Sequence, residues 1–165
     1  RGLAETEIRI GVGLNFGVAY VGNMGSEKRF NYSAMGDVVN VSARIESATK
    51  AFGTDILVSE EVAKAATRIA SVEAGEILLK GKSIPTKLYA LAGDESVSAT
   101  PEFAELLRCH ARLLGALAAN DATGAAEALS ACRAIAPSSL AVLYDHFSER
   151  VEEFKPAAVM RAQAG

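Results

Sequence analysis

The chain has 165 residues, half of them hydrophobic, so its length suits one medium domain or a small domain with an appendage. Its 17 Lys and Arg residues nearly balance 20 Asp and Glu residues without forming a cluster, which argues against a nucleic-acid-binding surface. The two cysteines lack a short metal-binding spacing and no apolar run reaches the length of a membrane span, so we expect a reducing compartment, no zinc site and no membrane contact by this chain.

Three strands are predicted before the first helix. Ile8–Leu14 alternates apolar residues with polar residues or Gly, which is the period of a half-buried strand. Further strands are predicted over Val18–Val21 and Arg29–Ala34, and the residues of Gly22–Ser26 between them are typical of a turn.

The next segment predicts a helix that begins at Asp37 and ends before Gly53. The Asp37 carboxylate can accept hydrogen bonds from the first free backbone N–H groups, and Gly suits the left-handed cap at the other end. An apolar stripe follows at helical spacing: Val41, Ile45, Ala48 and Phe52. Asn40 and Arg44 lie four residues apart on another face, so we expect this polar pair to point towards a cleft, a partner or solvent.

Shorter elements follow the helix. Ile56–Val58 predicts a buried strand and Glu60–Thr67 a short helix. Ile77–Leu79 and Leu88–Leu91 flank the turn residues Gly81–Pro85, which together predict a β-hairpin.

The composition changes at Gly93. Residues 93–100 are polar and turn-prone, which indicates a linker between a domain over 1–92 and a helical extension over 101–165. The extension carries three helical stripes: Phe103, Leu106, Leu107, His110, Leu113, Leu114 and Leu117; Ala125, Leu129, Cys132 and Ala136; and Leu140, Leu143, Tyr144, Phe147, Val151 and Phe154. No single helix can bury its stripe alone, so we expect the helices to pack on each other or on the sheet domain, with His110 and Cys132 inside as packing residues.

The stretch from Gly22 to Glu46, GNMGSEKRFNYSAMGDVVNVSARIE, resembles the signature of class III adenylate and guanylate cyclases. The resemblance runs from Ile8 to Leu91 and includes the ILVSE strand and the LKGK stretch before the last strand. It implies a fold of the α/β class: the α+β sandwich of the ferredoxin-like cyclase fold with a mostly antiparallel sheet, truncated at its N-terminal side. A C-terminal helical extension follows it.

The resemblance also implies a reaction, the conversion of ATP to 3′,5′-cyclic AMP and pyrophosphate in intracellular signalling. Arg44 matches the family's arginine that neutralises charge on the α-phosphoryl oxygens in the transition state, and Asn40 matches the asparagine that orients the ribose. Lys80 matches a lysine that holds the terminal phosphates. Ser33, seven residues before Asn40, occupies the position that selects the purine.

Members of this family hold two Mg²⁺ or Mn²⁺ ions with two aspartates. No residue of this chain matches either of these aspartates, and Asp37 is not assigned as a metal ligand. The isolated chain is therefore expected to be inactive. The family's active site forms between two protomers, which implies a homodimer in which one protomer supplies the metal ligands and the other supplies Asn40 and Arg44. We expect a cytoplasmic domain, whose parent protein can be anchored in the membrane through an upstream sensor region.

Two alternatives stay open. A guanylate cyclase would perform the same reaction on GTP, and the upstream residue that partners Ser33 in reading the purine is outside the chain. A non-catalytic, cyclase-like regulatory or dimerisation module is the second alternative, although the presence of both Asn40 and Arg44 argues against it. Without the resemblance, an Asn/Arg pair on an exposed helix is most often a solvated surface.

Overall fold

A computed structural model describes residues 10–26, 29–78 and 85–153. The elements in chain order are β1 (Val12–Leu14), β2 (Tyr20–Ser26), β3 (Arg29–Met35), α1 (Asp37–Phe52), β4 (Ile56–Ser59), α2 (Glu60–Ala65), β5 (Ala70–Ile77), β6 (Thr86–Gly93), α3 (Glu95–Ser98), α4 (Pro101–Ala118), α5 (Ala122–Ile135), a 3₁₀ turn (Ser138–Leu140) and α6 (Ala141–Glu153). The chain divides into two compact units, residues 1–67 with 73–91, and residues 68–72 with 92–165.

The described residues form a four-stranded sheet, ordered β1-β4-β6-β5, and a separate two-stranded sheet of β2 and β3. β1 runs parallel to β4, with Val12 opposite Ile56, and β4 runs antiparallel to β6, with Val58 opposite Tyr89. The expected α+β architecture is confirmed, with a mixed sheet that carries helices.

The β2–β3 hairpin corrects one prediction. The two strands pair antiparallel over seven residues each, from Tyr20 opposite Met35 to Ser26 opposite Arg29. The turn predicted at Gly22–Ser26 is therefore wrong, since these residues lie inside the strand ladder. Backbone pairing with β3 satisfies their N–H and C=O groups, and this tertiary context overrides the weak strand preference of Gly and Asn.

Helix α1 packs with its apolar stripe inward, as predicted for Val41, Ile45 and Phe52, which are all buried. Ala48 is only half-buried, and Thr49 joins the buried face in its place. The helix ends at Gly53 in the left-handed conformation, which confirms the predicted C-terminal cap.

Helix α1 begins at Asp37, but its cap differs from the prediction, because the N-cap residue is Gly36 and Asp37 is the first helical residue. The cap makes no side-chain hydrogen bond, and the Gly36 carbonyl instead accepts the amides of Val39 and Asn40 at 3.2 and 3.5 Å. Gly36 has φ 146°, a conformation that side-chain-bearing residues rarely adopt. A glycine turn rather than a carboxylate cap therefore sets the direction of the helix.

Glycines in and beside β1 let the strand approach α1 very closely. A Cβ atom on Gly13 would lie 2.2 Å from the backbone N of Glu46, and one on Gly11 would lie 2.3 Å from the Thr49 hydroxyl oxygen. Only residues without a side chain fit at this distance, so the contact fixes the height of α1 above the strand.

Strand β5 begins at Ala70, seven residues before the predicted start at Ile77. The predicted helix over Glu60–Thr67 is present as α2, which ends at Ala65. Most of the predicted hairpin turn, with Leu79, falls in residues 79–84 and lies outside the described residues.

The predicted linker contains a short helix, α3, capped by Asp94, whose carboxylate accepts the Ser96 amide at 2.9 Å. Thr100 and Asp121 cap α4 and α5 in the same way, accepting the amides of Phe103 and Gly124.

Among the described residues, no helix combines the length and the apolar character needed to cross a bilayer.

The second unit, residues 68–72 with 92–165 and here called the helical unit, has its own core. Its fully buried side chains include Leu106, Leu113, Cys132, Leu140, Leu143, Tyr144 and Phe147. His110 is also buried, as predicted, with its Nδ1 3.1 Å from the Tyr144 hydroxyl and its ring edge-on to Phe147. Burial raises the pKa of Cys132 to about 11, which fits a packing residue and not a reactive thiol. Phe154, the last residue of the third predicted stripe, lies outside the described residues.

Candidate functional site

Asn40 and Arg44 lie on one exposed face of α1, one turn apart. Their neighbours Val41 and Ile45, on the adjoining buried face, are 5% and 0% exposed. The predicted orientation of the pair is confirmed, because the buried stripe anchors the helix while the amide and the guanidinium project from it. Side chains held in a fixed orientation by a packed helix are suited to binding a ligand in one defined geometry.

Ser33 lies on β3, opposite Gly22 of β2, and its side chain is exposed. Strand β3 leads directly through Gly36 into α1, so Ser33 and Asn40 sit on consecutive elements that contact each other. Lys80, the fourth predicted site residue, lies outside the described residues.

The cationic side chains near the sheet differ in how they are paired. Lys87 binds Glu73 at 3.1 Å and Lys64 binds Glu60 at 2.9 Å, and these hydrogen bonds raise the pKa of both lysines. Their charges are compensated locally. Arg44, by contrast, forms no ion pair with any other described residue. As far as these residues are concerned, its guanidinium can bind an anionic ligand.

An open cavity of about 280 Å³ lies beside the start of α1. Asn15 and Thr86 contribute polar groups to its wall, and Asp37 and Glu61 contribute carboxylates. The exposed face of Asn40 and Arg44, which offers a guanidinium group, is the candidate for binding the phosphates of a nucleotide.

The first turn of α1 is held by contacts that the sequence did not single out. The Asn15 side-chain amide donates to the Val38 carbonyl at 3.3 Å, and the Ser42 hydroxyl donates to the same carbonyl at 2.9 Å. A Cβ atom on Gly17 would lie 3.2 Å from the Val38 side chain. The N-x-G pattern after a predicted strand is the one sequence signal that could have pointed to this support.

Within the described ranges, no three His, Cys, Asp or Glu side chains gather into a group that could hold a metal ion. The described residues therefore do not by themselves fit the divalent ions that the resemblance implies.

Comparison with known proteins identifies relatives of the first part of the chain. Residues 3–93 match the family described as the adenylate and guanylate cyclase catalytic domain. Adenylate cyclase 1 of Rhizobium meliloti is 36% identical over 88 residues, which cover 53% of this chain and 13% of that protein. An adenylate cyclase of Anabaena cylindrica is 33% identical over 91 residues, which cover 55% of this chain and 17% of that protein. The chain thus spans less than a fifth of the length of these curated relatives.

Solved structures with similarity include the adenylyl cyclase CyaB from P. aeruginosa, at 33% identity and a TM-score of 0.42, covering 48% of this chain and 40% of that one. The guanylyl cyclase Cya2 is 36% identical with a TM-score of 0.45, covering 51% of this chain and 42% of that one.

Proposed function

Since this chain belongs to the adenylate and guanylate cyclase catalytic domain family, we propose that it forms part of an adenylate cyclase, which converts ATP to 3′,5′-cyclic AMP and pyrophosphate. The observation that carries the proposal is the presentation of Asn40 and Arg44, side by side and exposed, on a helix whose other face is buried. Two relatives of the matched segment carry the name adenylate cyclase, which favours ATP as the substrate.

In the proposed reaction, the 3′-hydroxyl of ATP attacks the α-phosphorus of the same molecule, and the bond from that phosphorus to the pyrophosphate oxygen breaks. Negative charge on the α-phosphoryl oxygens is redistributed as the new bond forms. The Arg44 guanidinium, planar and permanently charged, would bind these oxygens through paired N–H donors. Removal of one such prepositioned donor typically raises the barrier by roughly 3–4 kcal/mol.

Asn40 would hold the ribose so that its 3′-hydroxyl lies in line with the bond that breaks. The amide both donates and accepts hydrogen bonds, which suits a ribose hydroxyl or ring oxygen. Its role is orientation, and orientation of the reacting atoms contributes a large share of the rate in such intramolecular reactions. Lys80 would bind the terminal phosphates.

Ser33 would read the purine edge through its hydroxyl. A hydroxyl can donate and accept hydrogen bonds, so it can pair with a donor or an acceptor on the adenine edge. The Ser33 side chain is exposed on β3 and can therefore contact a ligand. A hydroxyl can also pair with the edge of guanine, so the experiment below assays GTP as well as ATP.

The divalent ions would neutralise charge on the phosphates and activate the attacking hydroxyl. We propose that they are held by aspartates of a second protomer in a homodimer, and that the isolated chain supplies only the Asn40 and Arg44 half of the site. We also propose a cytoplasmic location for this domain.

The test is a steady-state comparison in an active cyclase that contains this chain. Arg44→Ala should lower kcat by roughly 10²–10³-fold and change the KM for ATP little, because the lost contact strengthens only in the transition state. Arg108→Ala is the matched control, because Arg108 is exposed and pairs with Glu105 of its own helix. A higher kcat/KM for GTP than for ATP would favour the guanylate cyclase alternative, and normal turnover of Arg44→Ala would contradict the proposal.

A further inference from the structure

We propose that Asn15 is a positioning residue for the reaction, because its side-chain amide sets the rotation of the first turn of α1 and thereby the aim of Asn40 and Arg44. The inference rests on the proposed function, and it concerns a residue outside the ligand-binding face. Asn15 immediately follows β1, the edge strand of the four-stranded sheet.

The geometry ties the end of β1 to the start of the helix. Asn15 Nδ2 lies 3.3 Å from the Val38 carbonyl oxygen, across 23 positions of sequence. A carbonyl only accepts, so the side-chain atom that faces it must be the N–H donor of the amide. Asn40 lies two residues beyond Val38, and Arg44 lies one turn further along the same face.

Other contacts from the same loop press on the same turn. A Cβ atom on Gly36 would lie 3.2 Å from the Val18 carbonyl oxygen, so the loop backbone passes close beneath the N-cap. Packing of this kind limits the distance between loop and helix but leaves rotation about the helix axis less restricted. A directional hydrogen bond restricts that rotation, since its strength falls steeply as the angle departs from linearity.

A second bond to the Val38 carbonyl supplies the control. The Ser42 hydroxyl donates to this oxygen at 2.9 Å, but Ser42 is on α1 itself, four residues on. Loss of the Ser42 bond leaves the hydrogen bond between the helix and the loop after β1 in place, whereas loss of the Asn15 bond removes it. The two residues share one acceptor and differ only in whether the bond joins two elements.

The experiment measures kcat and KM for ATP in an active cyclase that contains this chain, with the melting temperature of each variant alongside. Asn15→Leu keeps the size, carries no charge and removes the donor. Asn15→His keeps a ring N–H donor near the position of the amide. Arg44→Ala is assayed in parallel.

Asn15→Leu should lower kcat roughly 10- to 100-fold, because a displacement on the order of 1 Å at the reacting groups has an effect of that size. The KM for ATP should stay within about two-fold, Asn15→His should recover most of the lost kcat, and Ser42→Ala should stay within about three-fold of wild type.

Wild-type kcat in Asn15→Leu, or an equal loss in Ser42→Ala, would overturn the inference, as would a loss that Asn15→His does not recover. If Arg44→Ala also kept normal turnover, the proposed function would fail as well. Loss in Arg44→Ala with none in Asn15→Leu would remove only the role of Asn15.

Discussion

Gly13→Ala should destabilise the first unit, because a methyl group has no room between β1 and α1. Its Cβ would lie 2.2 Å from the Glu46 nitrogen, 2.4 Å from the Ser42 carbonyl oxygen and 2.8 Å from the Glu46 Cα. Real Cβ atoms essentially never approach another heavy atom within 3.0 Å, so helix and strand must separate by at least 0.8 Å. All three atoms belong to the backbone, and no side-chain rotation can relieve the contact.

The expected magnitude follows from this geometry. Forcing an extra carbon into a packed contact typically costs about 1–3 kcal/mol, and the rigidity of the helix backbone places Gly13→Ala at the upper end. The assay is urea unfolding of the chain, in which a loss of about 3 kcal/mol shifts the midpoint by roughly 1–3 M for the slopes usual in small proteins.

The matched control is Gly22→Ala in β2. It makes the same substitution in the same unit, and its Cβ would meet nothing within 4 Å. Its unfolding free energy should stay within about 0.5 kcal/mol of wild type. Equal stability of the two variants would refute the close contact between β1 and α1.

Three further predictions concern the described core. Phe147→Ala should destabilise the helical unit by about 3–5 kcal/mol, since the Phe147 ring is fully buried. Val142 is exposed on the same helix, so Val142→Ala should change stability by less than about 0.5 kcal/mol. Urea unfolding measures both variants. Ser59→Ala should stabilise the chain by about 1 kcal/mol in the same assay, because the buried Ser59 hydroxyl has no hydrogen-bond partner among the described residues. A loss of stability in Ser59→Ala would contradict this reasoning. Cys132, with its pKa raised to about 11 by burial, should react with iodoacetamide at pH 8 roughly 100-fold more slowly in the folded chain than in urea. Because this folded pKa lies above the usual thiol value of 9.0, the stabilisation from Cys132 is complete below about pH 9 and should be lost as the pH rises through about 11. The melting temperature should therefore fall over this range, and Cys132→Ala should make the fall smaller.

The sequence was most informative where apolar residues repeat with a clear period. Val41, Ile45 and Phe52 predicted both the existence of α1 and its buried face, and the orientation of Asn40 and Arg44 followed from that face. The long helices of the second unit were predictable for the same reason. The family was predictable from the fixed spacings between Gly22 and Glu46.

Strand β5 was predicted too short for a physical reason that the structure makes clear. Two of its three buried positions are the alanines Ala70 and Ala74, and Ala gives a weak strand signal. Next to them, a Cβ atom on Gly75 would lie 2.8 Å from the Phe52 ring, so this position has no room for a side chain. The glycine is thus a consequence of packing against α1, which is remote in sequence.

The cap of α1 and the support of its first turn were likewise hidden from pattern analysis. Asp37 has the residue type of a cap, but Gly36, with its positive φ, occupies the N-cap position one residue earlier in the chain. The bond from Asn15 to Val38 joins residues 23 positions apart, and no local periodicity records such a contact. Both features depend on where the loop after β1 lies.

The central claim, that this chain supplies the Asn40 and Arg44 half of a shared active site, is tested most directly by mixing two inactive variants of the intact cyclase. One carries Arg44→Ala and the other lacks the metal-binding aspartates. In an equal mixture of freely exchanging two-fold dimers, half of the dimers are mixed and each has one complete site, so activity should return to about a quarter of wild type. Absence of any recovery, in a mixture where mixed dimers are demonstrated, would contradict the claim.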